Sequence, residues 1–343
     1  MPHRPSLYDG HYTGAGDSTI PCNTGRGFVI DLSVIIVNYN TRQLVLDCVA
    51  SVQGELDKLS DGLQSEVIVV DNGSTDGSTG ALRRGPSQIR VIALDENVGY
   101  ARGNNAALAE AKGNVVLLLN TDVVLEDGAI ETALEALHAN PAAGAAGIQL
   151  LHADGRLQNS IHSFPSLVRE LTPKGLLELL APARFPSKRR PPTHPIEVES
   201  VLGAALFVKR DVIEKVGPLP EAYFFFLEET DWCLQMRRAG IGVLHVPGAR
   251  AVHLSGASSK RVDPIATRIE YHRSLYHFLR TNRGAASAAA VKVVRVVKQL
   301  LSFVPLALLG IVSPVYRSRR HSVGRLLHWH LAGQPASWGL SQD

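Results

Sequence analysis

The sequence predicts an α/β protein: a doubly wound, mostly parallel sheet with helices on both faces, followed by a basic helical tail. Three observations carry this. Four short β-rich runs, LSVIIV (32–37), EVIVV (66–70), IRVIAL (89–94) and VVLLL (115–119), recur along the first third of the chain. Each is apolar almost without interruption, which is how a strand covered on both faces reads. Segments with helical spacing separate them, so the order is β-α-β-α-β-α-β.

The elements follow in order. Residues 1–27, rich in Gly, Pro, Thr and Ser, are expected to form a flexible leader. After the first run, Leu44, Cys48 and Val52 share one helical face. ARGNNAALAEAKG (101–113) predicts a helix closing at Gly113 as its C-cap. Ile130, Ala133, Leu134 and Leu137 mark a helix that stops at Asn140-Pro141. Past residue 150 the regularity breaks, and 164–195 holds seven of the nineteen prolines. It is expected to be a mobile loop with a short helix, a candidate cover for a site. A strand over 198–209 and helices over 210–216 and 229–239 resume the fold. One large domain over 28–283 and a tail over 284–343 are expected.

Charge divides the chain unevenly. From Leu254 onward there are 13 Lys/Arg against 3 Asp/Glu, or +10, which leaves −7 for the remainder of a protein of net charge +3. A basic tail suits nucleic acid or an anionic membrane, and the apolar run QLLSFVPLALLGIVSPVY (299–316) favours the membrane over nucleic acid. Pro305, Gly310 and Pro314 interrupt that run, so an interfacial or re-entrant segment is expected rather than a span. LLHWHL (326–331) reads as a further interfacial face. Cys22, Cys48 and Cys233 have no metal-ligand spacing and fit free thiols in a reducing compartment.

In open parallel sheets, ligands bind beyond the carboxyl ends of the strands. The four runs end in Asn38-Tyr39-Asn40, Asp71-Asn72-Gly73-Ser74-Thr75-Asp76-Gly77, Asp95-Glu96-Asn97-Val98-Gly99-Tyr100 and Asn120-Thr121-Asp122. Ser74, Thr75 and Asp76 are read as capping residues. Taken together, four polar ends on one edge look like a binding surface. The fingerprints G-x-G-x-x-G and G-x-x-x-x-G-K-[ST] are missing after the first run, so a phosphate cradled by backbone is not expected. Acidic ends suggest a phosphate held through Mg²⁺ or Mn²⁺, cations that prefer oxygen ligands.

SVIIVNYN, VIVVDNGSTDGS, NVGYARGNNAAL, LLLNTDVVLEDGAIETAL, FFFLEETDWCLQMRRAG and AVHLSGASS stand in the order of glycosyltransferase family 2. Over about residues 32–283 the chain resembles that family, and most of all its bacterial rhamnosyltransferase-like branch. The resemblance implies a GT-A fold, a nucleoside-diphosphate sugar donor (dTDP- or UDP-linked), a divalent metal and inversion at the anomeric carbon. It also implies a glycan or lipid-linked acceptor in cell-envelope polysaccharide synthesis, on the inner face of the membrane. Asp71 would accept from the pyrimidine base, with Asn38 and Tyr39 lining the same pocket. Asn97, Gly99 and Arg102 would lie along the nucleotide, Arg102 near its diphosphate. Asp122 would be a metal ligand, Asn120 replacing the first carboxylate of the family's D-x-D element, and His253 would complete the metal site. Glu229 would be the general base, with Asp231 the second choice and Glu228 and Trp232 on the acceptor side. Phe224–Phe226 would help to wall the site. A metal-dependent nucleotidyltransferase and a non-catalytic sugar- or membrane-binding scaffold are the competing readings.

Overall fold

The computed structural model describes residues 30–59, 62–85, 88–182, 184–186, 191–254 and 263–340, apart from the side chains of 310 and 312. The leader at 1–27, Cys22 and the SGASS end of AVHLSGASS therefore lie outside the described residues.

The four apolar runs form β1 (Leu32–Asn38), β2 (Ser65–Asn72), β3 (Ile89–Leu94) and β4 (Val115–Asn120). They pair in parallel in the order β3-β2-β1-β4. Strand alternation explains why the runs are apolar throughout. Val34, Ile36, Val67, Val69, Leu117 and Leu119 face one core layer, covered by α1 (Arg42–Leu56), α2 (Ser78–Arg84) and α4 (Ala129–Ala139). Ile35, Ile68, Val70, Val116 and Leu118 face the other, covered by α3 (Tyr100–Leu108) and by helices from later in the chain. The expected doubly wound sheet is present.

Beyond β4 the sheet becomes mixed. A short β5 (Val123–Leu125) precedes α4, and β6 (Ala143–Leu151) follows it. β7 (Ile161–His162), α5 (Leu167–Leu171), α6 (Lys174–Leu180), β8 (Ile196–Glu197) and β9 (Ser200–Val201) come next. β10 (Ala205–Lys209) runs antiparallel between β4 and β6, and β11 (Gly242–His253) runs parallel to β6 and antiparallel to β5. α7 (Arg210–Val216) and α8 (Glu228–Arg238) sit close to their expected bounds.

Three expectations need correction. The helix placed over 101–113 ends at Leu108, and Gly113 is not its cap. A Cβ at Gly113 would stand 2.4 Å from the Ser33 nitrogen and 2.7 Å from the Leu32 carbonyl carbon, so this glycine serves a close approach to β1. The strand over 198–209 is broken into β9 and β10 by a turn at Leu202-Gly203-Ala204. The 164–195 segment holds two short helices; residue 183 and residues 187–190 lie outside the described residues. Arg295 meets Glu170 at 2.7 Å and Lys298 donates to the Glu170 carbonyl, which fixes this segment to the tail.

The tail forms α9 (Pro264–Arg283), α10 (Ala285–Val312) and α11 (Pro314–Leu331), followed by a 3₁₀ turn at Ala336–Trp338. No helix among the described residues is long and apolar enough to cross a membrane. Part of LLHWHL is core rather than interface: Leu326 and Trp329 are buried against Ile265 and Ile269 of α9. Cys48 and Cys233 are buried free thiols, and burial pushes the Cys233 thiol up to about 12.

Gly113→Ala should destabilise the fold by about 1–3 kcal/mol, since the clash is with β1 backbone that cannot give. Gly175→Ala in α6, where an added Cβ meets nothing within 4 Å, should be neutral or gain about 0.5–1 kcal/mol. Urea unfolding of the two variants tests the contrast.

Candidate active site

Register places the polar strand ends side by side. Asn38 lies opposite Asp71, and Val37 opposite Asn120. Buried polar groups must find partners, and these do. Asn38 Nδ2 donates to Asp71 Oδ1 at 2.7 Å and to Ser74 Oγ at 3.1 Å. The second oxygen of Asp71 accepts from the Thr79 hydroxyl. Thr41 donates to Asn38 Oδ1 at 2.8 Å and lies 3.1 Å from the Thr121 hydroxyl. Asp76 occupies neither N-cap position, as these fall to Gly77 and Thr41, but its carboxylate accepts from the backbone of Ser78, the first residue of α2, at 3.0 Å and of Arg42, the first residue of α1, at 2.9 Å.

A cavity of about 730 Å³ opens over this edge. Tyr39, Asn97, Gly99 and Asn120 line it, as the sequence led us to expect. Asn38 and Asp71 do not; they are buried, and Asn38 reaches the lining only through Thr41. Arg102 is misplaced by the sequence reading. The phase of α3 buries Ala101 and Gly103 and turns Arg102 outward, where it is 59% exposed and 3.6 Å from Glu221.

Gly99 holds the third turn in place. Its φ of +89° lies in the region that favours glycine, and a Cβ would stand 2.6 Å from the Phe224 carbonyl oxygen. That oxygen accepts from the Tyr100 amide at 2.8 Å, bringing Phe224 and Phe225 to the cavity wall. Phe226 instead packs edge-on against Tyr271. Phe226 and Leu227 adopt φ of +75° and +68° immediately before α8. Such backbone costs about 1–3 kcal/mol per residue and clusters at functional sites.

The acidic start of α8 divides three ways. Asp231 is engaged: Tyr223 donates to it at 2.8 Å and Asn282 at 3.0 Å, so it ties α8 to its surroundings. Glu229 packs on Gly203, where a Cβ would stand 3.0 Å from Glu229 Cγ, and the Tyr100 hydroxyl donates to the Gly203 carbonyl at 3.2 Å. Burial raises the Glu229 carboxyl above its ordinary range, opposed by backbone N–H groups of Glu229, Thr230 and Gly203. Glu228 is raised well above that range by burial, then by the nearby Glu229 and Glu270, and its Oε2 has no partner among the described residues. Neither Glu228 nor Glu229 lines the open cavity. Trp232 is a correction: it is fully buried in the core, donates to the Gly217 carbonyl at 2.9 Å and cannot serve an acceptor.

Antiparallel pairing of β11 with β5 sets His253 opposite Val123, next to Asp122. His253 Nε2 lies 3.4 Å from Asp122 Oδ1, and both residues are buried. On the other side of the ring, Nδ1 faces Gln158 Oε1 at 3.0 Å. If Nδ1 carries the hydrogen, Nε2 presents its lone pair beside Asp122, an arrangement common around metal-binding histidines. Asn120 Oδ1, buried with no partner among the described residues, is a further oxygen at this strand end. No group of three His, Cys, Asp or Glu able to hold a metal occurs among the described residues. A cation here would take two protein ligands, with Asn120 oxygen or ligand oxygens completing its shell.

Sequence reasoning missed Thr41 and Gly203, and gave Asn72, Tyr100 and Thr121 no role of their own within the polar strand ends. Asn72 bridges two turns, donating to Asn97 Oδ1 at 2.9 Å and accepting from the Val98 amide at 3.0 Å. A glycine inside an apolar strand was the available signal for Gly203.

These features define an α/β enzyme fold with a substrate cavity at the carboxyl edge of its sheet. The chain belongs to glycosyl transferase family 2, whose model matches residues 33–217. The N-acetylglucosaminyl-diphospho-decaprenol L-rhamnosyltransferase of Mycobacterium tuberculosis is 32% identical over 231 residues, covering 62% of this chain and 74% of that protein. A low-salt glycan biosynthesis hexosyltransferase of Haloferax volcanii is 27% identical over 242 residues, 68% of this chain and 70% of its own. Among solved structures, a mannosyltransferase from Pyrobaculum calidifontis, in complex with GDP-Man and Mn²⁺, superposes with a TM-score of 0.51 at 19% identity. That alignment covers 91% of this chain and 89% of the other, and the GT-A fold expected from the sequence is thereby shown.

A carboxyl group raised by burial destabilises the folded state once pH climbs above its unfolded value near 4.5, because the fold then retains a proton that the unfolded chain would release. Glu228→Gln should therefore match the parent's thermal stability near about pH 4 and exceed it increasingly toward about pH 8. A variant less stable than the parent across that range would contradict the burial cost assigned to Glu228.

Proposed function

We propose that the chain transfers a sugar, a deoxyhexose such as rhamnose favoured, from a dTDP- or UDP-linked donor to a glycan or lipid-linked acceptor, with inversion. The observation that carries this is the polar, in-register strand edge beneath a cavity of about 730 Å³, in a member of glycosyl transferase family 2. Family membership speaks against the nucleotidyltransferase alternative. The donor's base would lie over the Asn38–Asp71 pair near Tyr39, and its diphosphate toward Asn120 and Asp122. Asp122 and His253 would hold Mn²⁺ or Mg²⁺, which when bound would offset charge on the diphosphate oxygens.

Attack on the anomeric carbon needs a base for the acceptor hydroxyl. Glu229 fits this role better than its neighbours. Backbone donors support its ionised form while burial strengthens it as a base. Glu228 has only its own backbone N–H as such a donor, outweighed by burial and by Glu229, and is favoured as the neutral acid, and Asp231 is occupied by Tyr223 and Asn282. Two adjacent carboxyls pushed apart in this way can divide acid and base states. Contact with the acceptor would require the turn at Gly203 or the first turn of α8 to adjust as substrate binds.

Membrane association is part of the proposal. Leu301, Val304 and Leu308 on α10 and Leu171, Leu179 and Leu180 on α5 and α6 are exposed, with Arg317 and Arg319 also exposed at the hairpin. Such a surface suits peripheral binding to anionic lipid on the cytoplasmic side.

Glu229→Gln should lower turnover by about 10²–10⁴ with donor affinity nearly unchanged. An active Glu229→Gln beside a folded but inactive Asp231→Asn would move the base to Asp231. Asp122→Asn should abolish Mn²⁺-dependent thermal stabilisation by UDP or dTDP, and retention of that stabilisation would reject Asp122 as a ligand. On anionic vesicles, Leu301→Asp with Leu308→Asp should prevent flotation, and high salt should weaken flotation of the parent. Equal flotation of parent and variant would remove α10 from the membrane surface. A purified parent that neither hydrolyses nor transfers any nucleotide sugar would favour the scaffold reading.

A further inference from the structure

One wall of the cavity comes from outside the segment that the family model matches. Arg325 of α11 and Ser337, Trp338, Gly339 and Leu340 of the C-terminal strap line the same space as Tyr39, Asn97 and Asn120. Firm contacts seat the strap. Arg273 of α9 donates to the carbonyls of Pro335 at 3.3 Å and Ala336 at 2.5 Å, and is itself 3.0 Å from buried Glu270. Glu270 accepts from the Leu340 amide at 3.1 Å, and a Cβ at Gly339 would stand 2.5 Å from Glu270 Oε2. The Trp329 indole donates to the Pro335 carbonyl at 3.2 Å, and the His328 ring meets Trp338 edge-on at 5.0 Å. Chain this tightly placed is a wall, not a fraying end.

Arg325 stands out on that wall. It is the one Lys or Arg among the described residues lining the cavity, it is exposed, and it makes no hydrogen bond or ion pair among the described residues. The two carboxylates among the described lining residues, Glu96 and Asp263, would repel an anion elsewhere. Asp263 is already used, accepting from the Ile265 amide at 2.8 Å as the cap of α9. A guanidinium without a partner among the described residues, lining a cavity that an indole also lines, suits a phosphate flanked by a sugar or prenyl group.

We propose that Arg325, on the cavity wall that Trp338 also lines, forms a diphosphate-binding subsite by which the C-terminal segment completes the substrate cavity. It rests on the transferase reading above. Two sources share this chemistry, the diphosphate of the donor nucleotide and that of a lipid-diphosphate acceptor, and the experiment separates them.

Isothermal titration of the full chain with UDP or dTDP in the presence of Mn²⁺, and separately with geranyl diphosphate, compares the parent with Arg325→Ala, Arg325→Lys and Trp338→Ala. Because Arg325 is exposed and has no partner among the described residues, its variants should melt as the parent does. The expected result is a loss of about tenfold or more in Arg325→Ala, as for a charge-assisted hydrogen bond, with partial recovery in Arg325→Lys and a smaller loss in Trp338→Ala. A loss confined to the nucleotide assigns the subsite to the donor, and a loss confined to geranyl diphosphate assigns it to the acceptor. A parent that binds either probe while Arg325→Ala binds both equally well overturns the subsite alone. A parent that binds neither overturns the donor reading and the subsite with it.

Discussion

Polar side chains at the ends of buried strands are tolerable only when the neighbouring strands end in their partners. The pairing of Asn38 with Asp71 at 2.7 Å is that constraint here. A slip of one residue between β1 and β2 would turn every side chain to the other face. Asn38 would lose its acceptor, and Val34, Ile36, Val67 and Val69 would leave their core layer. The apolar body of the sheet and its polar rim therefore specify the same register. Thr41, Ser74 and Thr79 then close the network around that pair, and Asn72 extends it to the turn holding Asn97 and Gly99.

A second consequence concerns how distant chain segments reach the site. β10 inserts antiparallel beside β4, so the Asn120 amide donates to the Ala204 carbonyl at 2.9 Å and brings Gly203, with Glu229 behind it, to the same edge. β11 returns on the far side to set His253 against Asp122. The sheet thus brings Gly203 with Glu229, and the Asp122–His253 pair, to the strand edge where Asn120 ends; of these residues only Asn120 lines the cavity itself.

Much of this was legible in the sequence because it is local. The strands announce themselves as unbroken apolar runs, and their ends carry Asx-rich turns at the edge where ligands bind. Tyr39, Asn97, Gly99 and Asn120 fall on the cavity for that reason. What failed was whatever depended on side-chain direction or on remote packing. Arg102 lies one residue from a buried alanine, and helical phase turns it outward toward Glu221. Trp232 sits beside three acids in sequence, yet its ring enters the core and its indole finds the Gly217 carbonyl. Gly113 resembles a cap until the β1 backbone is seen pressed against it. The wall formed by Arg325 and Trp338 has no local signal, because the helices that place it meet the cavity only through tertiary packing.

The central claim is that the carboxyl edge of the sheet is where a nucleoside diphosphate binds. Amide hydrogen exchange, with and without UDP or dTDP plus Mn²⁺ at saturating concentration, tests it most directly. The account predicts slowed exchange at residues 38–41, 71–77, 96–100 and 120–123, with α2 and the amino ends of β1 and β4 unchanged. Binding that is evident by calorimetry but protects other segments, leaving these four turns unaltered, would contradict it.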